Sequence, residues 1–163
     1  MKLSLRILLG YFLVVGLTGL FALIIVVREV KPSVRETIEE TMVDAANLLA
    51  ALASADLQAG RLAEGGFATQ VRAYAQRKVD APIWHFHKTS LDFRIYVTDA
   101  TGRVVFDSDG RAVGEDYSRW NDVRRTLSGQ YGARSTPLEP GKDASSVFHV
   151  AAPVFDDAGR IIG

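Results

Sequence analysis

Residues 93–107 read FRIYVTDATGRVVFD. Phe93, Ile95 and Val97 alternate with Arg94, Tyr96 and Thr98, the period of two that a half-buried strand requires. Asp99, Ala100, Thr101 and Gly102 supply turn chemistry, and residues 103–107 return as a second strand, so the segment predicts a β-hairpin. Further along, residues 131–136 predict a third strand, and residues 146–155 (SVFHVAAPVF), rich in β-formers, a fourth. Asp156, Asp157, Ala158 and Gly159 then turn the chain into residues 160–163, where it stops partway through a hairpin. A one-sided hairpin leaves an open sheet edge, so the natural protein is expected to continue.

Helical spacing brackets these strands. Upstream, Val30, Val34, Ile38, Met42, Ala45, Leu49 and Leu52 recur in steps of three and four, which predicts a long amphipathic helix. Pro32 interrupts the helical ladder, so any bend belongs at Lys31-Pro32, and Ser33 with Glu36 has the form of a capping box. The loop at 56–66 is followed by a shorter helix over 67–78, with Phe67, Val71, Tyr74 and Ala75 on one face, and Pro82 ends that region. Another helix starts near Asp116 and runs through Trp120, Val123 and Leu127 to Gly129. The order predicts an α+β domain: helices against an antiparallel sheet of about five strands, the last incomplete.

At the amino terminus, residues 7–27 (ILLGYFLVVGLTGLFALIIVV) carry no charge and would make about 32 Å of helix, enough to span a bilayer core. A cleaved signal peptide would have a shorter apolar stretch ending at a small-x-small site, whereas this one ends in IIVV followed by Arg28. The expected organisation is a short N-terminal segment at 1–6, a transmembrane helix at 7–27 continuing into the amphipathic helix, and a folded domain at 28–163. Lys2 and Arg6 stand on one side, and Arg28, Lys31 and Arg35 on the other, so flanking charge leaves the sidedness open.

Lysine plus arginine equals aspartate plus glutamate at 19 each, which argues against a nucleic-acid partner. There is no cysteine, hence no disulfide, thiolate metal site or cysteine nucleophile. His85 and His87 form an H-x-H pair, but two ligands do not make a metal site. Asp107, Ser108 and Asp109 follow a strand and suit turn capping as well as cation binding. No nucleophile with an activating base is evident, so these residues are expected to turn over no substrate.

Two sets of motifs carry a resemblance. Residues 95–108 (IYVTDATGRVVFDS) and 150–163 (VAAPVFDDAGRIIG) resemble the paired hairpins of extracytoplasmic PAS-like, or Cache, sensor domains. Residues 8–16 (LLGYFLVVG), the Val30-Lys31-Pro32 exit, 114–123 (GEDYSRWNDV) and 129–136 (GQYGARST) resemble the amino-terminal half of CreC-type sensor histidine kinases. That resemblance implies a cytoplasmic N-terminus at 1–6 and a sensor domain at 28–163 in the periplasm, anchored in the inner membrane and feeding a cytoplasmic kinase that phosphorylates a response regulator. It also implies that ATP and magnesium belong only to that kinase region, leaving no cofactor here. Related sensor domains also serve chemoreceptors and cyclic-dinucleotide enzymes, and a periplasmic protein-interaction module is a further alternative.

PAS-like sheets cup a cavity, and Tyr96, Arg119, Trp120, Arg134 and His149 are the residues expected around it. Arginine donates in pairs to carboxylate or phosphate, which suits a small anionic metabolite. Passing a signal across a membrane needs two distinguishable arrangements, which two helices shifting against each other provide. A parallel homodimer is therefore expected, in contact along Val30, Val34, Ile38, Met42, Ala45 and Leu49.

Overall fold

A computed structural model describes residues 3–137 and 146–163, the side chains of residues 3, 4 and 29–34 excepted. It divides into two units, Met1–Met42 and Val43–Gly163.

In the first unit, α1 (Leu3–Ile25) passes into a π-helical turn (Val26–Val30) and then into α2 (Lys31–Gln58), which ends in the second unit. The stretch Leu5–Arg28 is long and apolar enough to cross a membrane, and none of its residues is buried. A helix apolar on every side has no polar face to give to water, so hydrocarbon is the solvent that suits it. The irregularity expected at Lys31-Pro32 falls at the π turn just before it. A proline ring collides with the carbonyl four residues back, here that of Arg28, and a widened turn at Val26–Val30 is where such a collision is relieved. Of the expected capping box, Ser33 lies outside the described side chains.

In the second unit, the end of α2 packs on α3 (Gly66–Ala75), which ends three residues earlier than expected. Ala53, Leu62, Phe67, Ala68, Val71 and Phe106 form one core, with Leu49 and Leu57 against it. The start of α3 is held by Asp56, whose carboxylate accepts a 2.8 Å hydrogen bond from the Phe67 amide. Gly65 is needed there because a Cβ would collide with that carboxylate.

Six strands pair two by two: β1 (Ala81–Ile83) with β2 (Phe86–Lys88), β3 (Tyr96–Thr98) with β4 (Val104–Asp107), and β5 (Gly132–Pro137) with β6 (Ser146–Ala151). All three pairs are antiparallel. The α+β class holds, but among the described residues the strands form three ladders where one sheet of about five was expected. The hairpin at 93–107 is present, though its first strand begins at Tyr96, because Arg94 turns to chelate Asp107 through Nε and Nη2 (3.1 and 2.8 Å). Its turn is organised by Asp99, whose carboxylate accepts from the amides of Thr101 and Arg103, and by Gly102 at φ 86°.

The expected strand 146–155 divides because Pro153 has no N–H for a ladder. β6 stops at Ala151, and Val154 begins a small separate hairpin in which the Val154 amide donates to the Gly163 carbonyl (2.8 Å). The β1–β2 hairpin was not anticipated. Its turn holds Trp84 at φ 53°, and it separates the histidine pair: His85 lies in the turn, while His87 in β2 has Nδ1 3.1 Å from Asp80.

Candidate functional site around Asp122

A second core joins Val104, Ala112, Tyr117 and Val123, with Tyr96, Trp120 and Leu127 against it. On its edge lies a polar centre built from four elements. α4 (Asn121–Leu127) begins after Trp120, whose extended backbone turns the chain so that Asp122 enters the first helical turn pointing inward. The Asp122 side chain is fully buried. Tyr96 of β3 donates its hydroxyl to Asp122 Oδ2 at 2.6 Å, and Arg134 of β5 donates Nε to Oδ1 at 3.0 Å. One carboxylate therefore ties β3, α4 and β5 together.

β5 approaches α4 this closely because residue 132 is glycine. A Cβ there would run into the Asp122 carbonyl and the Thr126 hydroxyl. Two residues on, the Arg134 guanidinium lies 4.0 Å over the Trp120 ring, which stacks on Tyr117 at 3.6 Å. Tyr117 in turn meets Tyr96 edge-on at 5.4 Å. His149 of β6 is the cross-strand partner of Arg134, and its ring centroid is 6.4 Å from that of Tyr96. Arg134 Nη1 bonds the Thr136 hydroxyl, while Nη2 is buried with no hydrogen-bond partner among the described residues.

Burial, followed by the Asp122 carboxylate, pushes the Tyr96 hydroxyl well above its ordinary range, so it stays a donor. Burial, followed by the charge of Arg134, holds the His149 imidazole below its usual value, which leaves it neutral at pH 7.

The structure brings Tyr96, Trp120, Arg134 and His149 to one centre. It does not bring Arg119, which is exposed. Sequence reasoning missed Asp122 and Tyr117, the groups that hold the others in place. Of the predicted dimer stripe, the side chains of Val30 and Val34 lie outside the described residues; Ile38 is exposed, Met42 and Ala45 are half-buried, and Leu49 packs on its own core.

A second carboxylate, that of Asp107, caps local backbone: besides Arg94 it accepts from the amides of Ala112 and Asp109. Among the described residues no group of three or more histidines and acids could hold a metal ion.

These features define a domain of α+β class carrying an apolar helix of membrane length and a buried polar centre. Comparison with known proteins places the chain beside a sensor: over all 163 residues it is 48% identical to "Sensor protein CreC" of Escherichia coli (strain K12). The resemblance to CreC-type sensors therefore extends through the whole chain, which spans 34% of that relative's length. No family model matches the chain, and no solved structure matches it.

Proposed function

We propose that the chain is the signal-sensing input region of a two-component sensor histidine kinase. The observation that carries this reading is the 48% identity over the full 163 residues to a sensor protein, membrane helix included. On this reading residues 28–163 form a PAS-like, Cache-type domain in the periplasm, held to the inner membrane by the helix at 7–27. A stimulus there controls autophosphorylation, with ATP and magnesium, in a cytoplasmic region and phosphotransfer to a response regulator. The stimulus is a small anionic metabolite met by the centre of Tyr96, Trp120, Arg134 and His149, supported by the inward guanidinium Nη2 of Arg134.

The working unit is a homodimer. Support for a helix contact comes from α2, where Leu48 and Leu52 are 63% and 62% exposed while the neighbouring Leu49 is taken up by the core.

A chimera tests the reading. This chain replaces the corresponding third of the Escherichia coli sensor protein, and autophosphorylation and transfer to its response regulator are followed in membranes from cells grown under different conditions. A chimera that responds to growth conditions as the parent does is expected. One that phosphorylates at a constant rate under every condition would defeat the proposal.

A further inference from the structure

The charges of the Asp122 centre already cancel. Asp122 contributes one negative charge and Arg134 one positive, joined at 3.0 Å. Arg94 and Asp107, joined at 2.8 Å, make a second neutral pair whose arginine also acts on His149. Tyr96 brings an uncharged hydroxyl and His149 a neutral ring. The groups facing His149 are thus Arg134 from β5, Asp122 from α4, Tyr96 from β3 and Arg94 just before β3; with Asp107, the carboxylate that Arg94 holds, they sum to zero.

An anion entering alone would stand in a half-buried site with no counter-charge of its own, because Asp122 already occupies Arg134. A proton on His149 changes the sum to plus one. That charge arises across the ladder from Arg134, whose Nη2 is the donor still lacking an acceptor among the described residues.

We infer that this centre takes up a monoanion and a proton together, the anion on Arg134 Nη2 and the proton on His149. The inference deepens the metabolite-sensing reading above and rests on it. Its consequence is that the site reads an anion jointly with acidity: the same anion concentration fills it further as the surroundings acidify. Binding and protonation are then linked reciprocally, so above the titration of the free imidazole the affinity falls about tenfold for each pH unit.

The test uses the full chain in lipid nanodiscs and two probes of similar shape, methanesulfonate, which stays a monoanion across the range, and dimethyl sulfone, which is uncharged. Methanesulfonate affinity, followed through the histidine ring signals, is expected to be about tenfold weaker at pH 7.5 than at pH 6.5. Dimethyl sulfone should show no such difference. Saturating methanesulfonate should raise the titration midpoint of His149, and at fixed pH it should leave the ring signals of the exposed His85 and His87 where they were. In His149→Gln the affinity at pH 6.5 should drop to the level seen at pH 7.5; if that variant does not fold, the midpoint shift in the unaltered chain decides.

Equal methanesulfonate affinity at both pH values with a fixed His149 midpoint would overturn proton coupling and leave an anion sensor standing. No binding of methanesulfonate at either pH would overturn the inference itself. Failure of the chimera to respond is a separate result, and it removes the sensor reading beneath.

Discussion

Asp122 is the residue on which the candidate site depends, and its partners sit 26 and 12 positions away in the chain. Replacing it with alanine leaves the Arg134 guanidinium buried without its carboxylate, so Asp122→Ala is expected to cost about 3–5 kcal/mol. Tyr96→Phe removes a single hydrogen bond to a charged acceptor and should cost about 1.5–3 kcal/mol. Denaturant unfolding of the full chain measures both, and a larger loss for Tyr96→Phe would show that the carboxylate is not the organising group. Tyr96, Trp120, Arg134 and His149 were legible because aromatic and basic groups on strands, or beside a helix start, stand out against an apolar pattern. Asp122 was not, since aspartate is rarely buried and nothing near it in sequence announces its partners. Arg119 was named among the site residues, and it is exposed where Asp122, three positions on, is buried; the extended backbone at Trp120 turns the chain between the two.

At the scale of elements, α2 shows how a helical stripe can be read with the right period while packing takes up one of its members, Leu49. Steps of three and four through Leu49 were legible, but Leu48 and Leu49 are adjacent leucines on different sides of the helix, and periodicity alone does not say which one meets a core. Packing decides: Leu49 lies with Ala53, Leu57 and Phe67, and Leu48 and Leu52 face outward. In a chain without native thiols, Leu48→Cys and Leu52→Cys should therefore crosslink between copies in membranes far more readily than Leu49→Cys. Non-reducing electrophoresis after mild oxidation reads the result, and equal yields at all three would remove this face as the dimer contact. The strands show a related gap. The hairpin at 93–107 was visible through its turn residues, whereas the β1–β2 hairpin carried no such signal, and which ladders join depends on partners distant in sequence.

For the whole molecule, the half-buried His149 and the buried Asp107 give its stability a stepped dependence on pH. His149 is held below its usual value in the fold, so its contribution is complete above about 6.5, where the unfolded imidazole is neutral, and is lost as pH falls through the folded value. Burial raises the Asp107 carboxyl, but the Arg94 guanidinium and the amides of Ala112 and Asp109 outweigh it and hold it below the ordinary carboxylate range. Its contribution is present above about 3.9 and lost as pH falls below that. Denaturant midpoints of the full chain should thus decline in two stages on acidification; His149→Gln should remove the upper stage and Asp107→Asn reduce the lower, to which the lowered carboxyls of Asp99, Asp116 and Asp156 also belong, and a single stage unaffected by either change would contradict this assignment. The π turn at Val26–Val30 has a consequence of another kind. Such a turn stores one residue more than an α turn over the same span, so the helix carries a spare that can be withdrawn without breaking it. Deleting one of those five residues would restore an α-helix with residues 35–42 keeping their direction about the axis relative to α1, whereas the same deletion within α1 would turn all that follows by about 100°. The chain thus holds one residue of slack at this point, where a deletion shortens the sequence without re-aiming the helix.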